Sequence, residues 1–227
     1  MRRAVLVLMA SFAWLAASNA AGQGVKPPAK AVAPSAAKIW LAREIAQLSE
    51  QQVWLFGQDG SSVGVARTEQ LRTLLAVFGK MEHQAGVNSE LYLAEGNDPD
   101  TWLAQGKGEQ VVVRISLGLV TMIGNDWDAW AFILGHQLAH IEILRLRGPE
   151  AMREATVSSA EEEEKVADAL GIEYAVRAGY KYEGAVLFLN RLAARERASS
   201  LFMRRHPFYP GRVDHVRETG AMFVMRR

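Results

Sequence analysis

Residues 125–149 read NDWDAWAFILGHQLAHIEILRLRGP, with a helix signal at each end. Asn125 or Asp126 can cap a helix, because a short polar side chain accepts a hydrogen bond from a free N–H of the first turn. Gly148 and Pro149 stop a helix. The sequence therefore predicts a helix that runs to about Arg147.

Two histidines, His136 and His140, lie four residues apart near the centre of this helix. That spacing places both imidazoles on one face, close enough for two nitrogens to bind one Zn²⁺. For the bare pattern the alternative is two partly exposed histidines on an amphipathic helix. Apolar neighbours of the two histidines favour burial of the rest of the helix surface. These neighbours are Ile133, Leu134, Leu138 and Ile141.

A second helix is predicted from Ser158, which can cap it together with Glu161 three residues later. Of the acidic run that follows, Glu162 and Glu163 are expected to be solvated and to complement the positive end of the helix dipole.

Glu164 and Asp168 share one face of this second helix, because they are also four residues apart. Glu164 is a candidate third zinc ligand, and Asp168 a candidate acceptor for the distal ring nitrogen of a ligand histidine. Two histidines and one glutamate with an open fourth position form a catalytic zinc pattern.

The rest of the chain predicts a mainly α domain with a small antiparallel β-sheet, an α+β fold. Helical spacing of apolar residues predicts helices over 38–56 and 68–84, with a loop over 57–64 and Gly86 as the C-cap of the second helix. Strands are predicted over 90–94 and 110–116, on either side of a segment rich in Gly, Asn, Asp and Pro. From about Leu117 onward the pattern is helical.

The N-terminal region reads as a targeting segment and a linker. Residues 1–20 have Arg2 and Arg3, an apolar run and small residues at the end, which is typical of a cleaved signal peptide. The apolar run of about fourteen residues is shorter than the ~20 that a membrane span needs, so no stable span is expected after cleavage. Residues 21–37 predict a Pro/Ala-rich linker, and residues 38–227 the folded domain.

Composition narrows the function further. The chain of 227 residues has 26 Lys+Arg and 25 Asp+Glu, a net charge of +1. It therefore lacks the excess of positive charge that is typical of nucleic-acid-binding proteins. There is no cysteine, so neither a disulfide nor a lipid on an N-terminal cysteine is available. We expect an exported protein, with the periplasm as the favoured compartment; association with the membrane stays open.

Taken together, these elements resemble the family of zinc metallopeptidases that includes the CAAX prenyl proteases, the HtpX heat-shock protease and the periplasmic β-barrel assembly-enhancing protease. The resemblance covers about 111–217. It rests on the AFILGHQLAHI segment, on Glu164-x-x-Ala167-Asp168 continuing into LGIEYAVRAGY, and on His206-Pro207 followed by Arg212.

The resemblance implies a zincin-like fold, one Zn²⁺ per chain and a role for each matching residue. His136, His140 and Glu164 would bind the zinc, and Asp168 would orient a ligand. His206 would match a loop histidine that occupies the open zinc position in latent relatives.

Three further residues take their implied roles from the same likeness. Arg212 would lie near the cleft and steady the oxyanion or the loop; the alternative for His206 and Arg212 is a structural turn. The strand at Trp102 and Leu103 would be the edge to which an extended substrate adds.

One residue departs from the family motif His-Glu-x-x-His: Gln137 stands where the glutamate belongs. That glutamate takes a proton from the attacking water and returns it to the leaving amine, which a carboxamide cannot do. Its loss costs typically ~10² to 10⁴ in rate. Gln is nearly isosteric with Glu, so metal binding and fold should persist.

Three functions remain open at this point. The chain as written is expected to be a pseudoprotease that binds zinc and extended, unfolded envelope polypeptides with little or no hydrolysis, as a chaperone or as a regulator of an active relative. The first alternative is an active zinc metalloendopeptidase in envelope quality control, or an engineered inactive variant of one. The second is an interaction module whose zinc site has decayed.

Overall fold

The computed structural model of the chain describes residues 38–56, 62–108, 110–148, 150, 161–195 and 205–226. The predicted signal peptide, the linker and the capping residue Ser158 lie outside the described residues. Within the described part, no helix is long and apolar enough to cross a membrane.

The described residues form six strands and seven helices. The strands are β1 (Ile39–Leu41), β2 (Val53–Phe56), β3 (Ser62–Ala66), β4 (Leu91–Ala94), β5 (Thr101–Gln105) and β6 (Val111–Ser116). The helices are α1 (Ala42–Ala46), α2 (Thr68–Ala85), α3 (Leu117–Ile123), α4 (Trp127–Arg147), α5 (Glu161–Arg177), α6 (Glu183–Arg195) and α7 (Arg212–Met225). The fold is thus mainly helical with a small sheet, consistent with the predicted α+β class.

The main sheet has four strands in the order β1-β4-β6-β5 and is mixed. β4 and β6 are parallel, whereas β1 pairs with β4 and β5 pairs with β6 in antiparallel fashion. The prediction of an antiparallel sheet was wrong on this point. The residue pattern predicted no strand between residues 94 and 110, where only the resemblance implied one at Trp102 and Leu103. This strand, β5, lies between β4 and β6 in the chain but at the outer edge in space, so that β6 returns parallel to β4.

The prediction of a helix over residues 38–56 was also wrong. The segment forms β1, the short helix α1 and β2, and β2 pairs with β3 in a hairpin that overlaps the predicted loop. Val53 and Leu55 are buried whereas Trp54 is exposed, the alternation of a strand. Pairing of β1 with β4 and of β2 with β3 therefore outweighs the helical spacing of a few apolar residues.

Helix α2 confirms the prediction for residues 68–84 and ends at Gly86, whose φ of 63° is left-handed as a C-cap requires. α2 packs against α4, which is buried almost all round from Ala129 to Ile141. Asp126 caps α4 by accepting a hydrogen bond from the backbone N–H of Ala129 at 3.1 Å.

Helices α4 and α5 touch backbone to backbone at a pair of glycines. A Cβ on Gly171 would lie 2.7 Å from the backbone N of His136, and a Cβ on Gly135 would lie 2.9 Å from the carbonyl oxygen of Gly171. Only residues without a side chain allow this approach. The crossing lies directly beside His136 and so brings the polar faces of the two helices together.

Candidate metal centre

Four buried side chains converge where α4, α5 and the segment before α7 meet. His136 and His140 come from α4, Glu164 from α5, and His206 from the turn that precedes α7. One ligand-type atom from each residue lies within 4.8 Å of the other three. The cluster is therefore close enough to hold one metal ion.

The distances within the cluster are short and nearly equal. His136 Nε2 lies 3.1 Å from His140 Nε2 and 3.2 Å from His206 Nδ1. Glu164 Oε1 lies 3.1 Å from His140 Nε2 and 3.2 Å from His206 Nδ1. These four separations, with all four atoms within 4.8 Å of one another, describe a compact cluster, and the three nitrogens and one oxygen are all metal-ligand types.

The distal ring nitrogen of His136 is held by a carboxylate. Asp168 Oδ1 lies 2.9 Å from His136 Nδ1, which leaves Nε2 directed into the cluster. This is the position that the sequence predicted for Asp168, and such a partner fixes the tautomer and orientation of a ligand ring.

Arg212 links this carboxylate to the rest of the cluster. Its Nε and Nη2 each donate to Asp168 at 2.8 Å, its Nη2 lies 3.2 Å from Glu164 Oε2, and its Nη1 donates to the carbonyl oxygens of His206 and Pro207. Arg212 is 1% exposed. Its contacts are those of a residue that steadies the His206 turn, one of the two predicted roles.

Burial and charge favour neutral rings for His136 and His206 and ionised carboxylates, whereas burial of His140 is outweighed by Glu163 and Glu164, which raise its pKa above the usual range. Burial lowers the pKa of His136, and it lowers the pKa of His206 to about 4. Burial raises the pKa of Asp168, but the Arg212 guanidinium and His136 outweigh it and hold that pKa below its usual range. Neutral imidazoles next to carboxylates present lone pairs, as metal binding requires.

The prediction that Glu163 is solvated was wrong. Its side chain is 11% exposed, and its Oε1 lies 3.3 Å from His140 Nδ1 while its Oε2 pairs with Arg147 at 2.7 Å. Its neighbour Glu162 is 84% exposed, as predicted. A second ligand histidine needs an acceptor for its distal nitrogen, and this requirement was the signal that could have identified Glu163.

Gln137 is fully buried beside the cluster. Its amide Nε2 lies 3.0 Å from His206 Nε2, and its Oε1 has no hydrogen-bond partner among the described residues. His206 Nε2 also lies 3.2 Å from the backbone carbonyl oxygen of Thr101 in β5. The Gln137 and Thr101 contacts to His206 had no signal in the sequence, because they depend on where the turn before α7 folds.

Trp102 and Leu103 lie on β5, at the outer edge of the sheet. Leu103 is buried in the core, whereas Trp102 is half-buried and its ring packs under the Arg205 guanidinium at 4.9 Å. Neither side chain belongs to the metal cluster. Of the seven other predicted site residues, the structure places five around His136 and His140, namely Gln137, Glu164, Asp168, His206 and Arg212.

The chain was compared with known proteins. No protein-family model matches it, and no curated protein matches it.

Proposed function

We propose that the chain is an exported protein of the zinc metallopeptidase type that binds one Zn²⁺ and captures extended segments of unfolded or misassembled envelope polypeptides without hydrolysing them. One observation carries the proposal: four buried ligand-type atoms lie within 4.8 Å of one another, and the Gln137 side chain, at the motif position of the general base by the resemblance, contacts one of the four residues.

The donor set and its spacing support zinc. Ligand atoms about 2.0 Å from a Zn²⁺ in a regular tetrahedron are separated by about 3.3 Å. The cluster has separations of 3.1 and 3.2 Å between its nearest donors, and its three imidazoles and one carboxylate are common zinc ligands. When bound, zinc would supply Lewis-acid polarisation in a catalytic site and cross-linking in a closed one.

Two features argue against hydrolysis. Gln137 can neither take up nor return a proton, so the step that needs a general base lacks one. His206 supplies a fourth donor atom to the cluster, whereas catalytic zinc sites keep one position for water or substrate.

The edge strand β5 supports capture of an extended peptide. At the two ends of the β5–β6 ladder, Ser116 N donates to Asp100 O and Gly106 N donates to Gln110 O. Because the hydrogen-bonded pairs of an antiparallel ladder alternate, the even-numbered residues of β5 direct their backbone N–H and C=O groups toward β6. Leu103 and Gln105 therefore direct their N–H and C=O groups away from β6. Such outward groups are the template to which another strand adds.

The experiment compares binding with cleavage. The purified, zinc-loaded protein lacking residues 1–20 is mixed with an unfolded model polypeptide, beside Gln137→Glu, the double variant Gln137→Glu/His206→Ala, a matched Gln84→Glu control on α2 and a chelator-treated sample. We expect zinc and polypeptide binding without cleavage by the unsubstituted chain. Gln137→Glu restores the base and should raise hydrolysis by about 10²- to 10⁴-fold when His206→Ala also opens the fourth position, and by less while His206 is present. Leu103→Pro, which removes one outward N–H, should weaken polypeptide binding.

Two results would overturn the proposal. Cleavage by the unsubstituted chain at the rate of Gln137→Glu/His206→Ala would favour the active endopeptidase instead. A chain that retains no zinc would favour the interaction module.

A further inference from the structure

The contact between His206 and the backbone of Thr101 defines which nitrogen of His206 carries the proton. His206 Nε2 lies 3.2 Å from the carbonyl oxygen of Thr101, and a carbonyl oxygen only accepts hydrogen bonds. Nε2 is therefore the N–H of the ring. Nδ1, which carries the lone pair, is the atom 3.2 Å from both His136 Nε2 and Glu164 Oε1 in the cluster.

The same proton determines the orientation of the Gln137 carboxamide. A ring N–H cannot accept from an amide N–H, so the amide oxygen must face His206 at the 3.0 Å contact. As placed, the Gln137 amide oxygen has no hydrogen-bond partner among the described residues. Rotation of the carboxamide by half a turn about the Cγ–Cδ bond exchanges its oxygen and nitrogen and brings the oxygen to the contact with His206 Nε2. The buried oxygen then accepts the His206 N–H together with Thr101.

We infer that Gln137 is a positioning residue that holds His206 as a fixed fourth ligand and so converts the site from a catalytic to a structural one. The inference deepens the proposed function and rests on its zinc binding. A metal held by four residues would join α4, α5 and the turn before α7 into one unit. Because Gln is neutral, it does this without adding a third buried carboxylate beside Glu164 and Asp168.

The test measures zinc retention rather than activity. Zinc release from the protein lacking residues 1–20 is followed with a chelating dye for the unsubstituted chain, Gln137→Leu, Gln137→Glu, His206→Ala and the double variant Gln137→Leu/His206→Ala. Outer acceptors of ligand histidines typically contribute ~10- to 100-fold to metal affinity, so Gln137→Leu should lose affinity in that range. Gln137→Glu keeps an acceptor oxygen and should stay within about threefold of the unsubstituted chain.

The double variant separates positioning from a general packing effect. If Gln137 acts through His206, then Gln137→Leu should add less than about twofold once His206 is alanine. Visible absorption of the Co²⁺-loaded proteins gives a second readout: the unsubstituted chain should show the intense bands of a four-coordinate site, and His206→Ala weaker ones. If Gln137→Leu does not fold by circular dichroism, Gln137→Met, which is closer in length, takes its place.

The outcomes distinguish this inference from the proposed function. An unsubstituted chain that retains no zinc overturns the proposed function. Equal zinc affinities of the unsubstituted chain and Gln137→Leu would overturn the positioning role alone. So would a loss of zinc affinity from Gln137→Leu that is as large in the His206→Ala background as in the unsubstituted chain.

Discussion

The two histidines of α4 are each supported by a carboxylate and an arginine, but in very different surroundings. Behind His136 lie Asp168 and Arg212, which are 0% and 1% exposed. Behind His140 lie Glu163 and Arg147, which are 11% and 53% exposed. We call each carboxylate–arginine pair the support of its histidine. The support of His136 is buried in the core, whereas the support of His140 is partly exposed to solvent.

This difference decides how strongly each support depends on its arginine. Buried charges have lost their water, so removal of one partner leaves the other without compensation. A charge near the surface is stabilised by solvent and screened by salt when its partner is removed. The two supports should therefore respond to equivalent substitutions by very different amounts, although both act on the same cluster.

The largest effect is expected for Arg212→Met, which keeps the length of the side chain and removes its charge. Asp168 and Glu164 would be left as buried carboxylates without their shared cation, at a cost of about 3 to 5 kcal/mol in the free energy of unfolding. Urea denaturation of the zinc-loaded and chelated proteins measures this loss.

Arg217→Met provides the matched control. Arg217 lies on the same helix, is 51% exposed and, among the described residues, pairs only with Asp214. Its replacement should change the free energy of unfolding by less than about 1 kcal/mol. Equal losses in the two variants would mean that the buried support is no stronger than a surface ion pair.

Glu163→Gln should have an intermediate effect, on metal affinity rather than on unfolding. The amide oxygen still accepts from His140 Nδ1, but the negative charge that polarises the ring is lost. We expect zinc affinity to fall by about tenfold, the low end for such outer partners. Glu162→Gln, at the exposed neighbouring position, should leave affinity unchanged; competition with a chelating dye measures both. Identical affinities for the two variants would contradict the role given to Glu163.

The comparison also shows what the sequence could and could not predict about the site. Residues at helical spacing were found, because four-residue separation places His136 with His140 and Glu164 with Asp168 on shared faces. Glu163 was missed because helix dipole and solvation explain an acidic first turn equally well when the partner helix is unknown. The contacts of Gln137 and Thr101 with His206 were missed because they join three separate parts of the chain.

The same distinction between local and long-range signals explains which elements of the fold were predicted. α2 and α4 were predicted because caps and apolar period act within each helix. Residues 38–56 were not, since β1 depends on pairing with β4 and β2 on pairing with β3. The parallel arrangement of β4 and β6 likewise depends on β5, which the residue pattern placed in the segment between two strands and only the resemblance implied as an edge strand.

The smallest effect is expected for Arg147→Met, on the exposed support. Arg147 pairs with Glu163 at 2.7 Å but is half exposed, so solvent can replace most of its contribution, which should be below about 1 kcal/mol. Zinc affinity should fall by no more than about fivefold at low salt and match that of the unsubstituted chain at ~1 M salt, where the Debye length is about 3 Å. Arg145→Met, on the same turn but bonded to the carbonyl of Gly86, is the control and should show no salt-dependent change. A loss that persists at high salt would place Arg147 with Arg212 as part of a sealed support, and the contrast between the two histidines would then lie in their carboxylates alone.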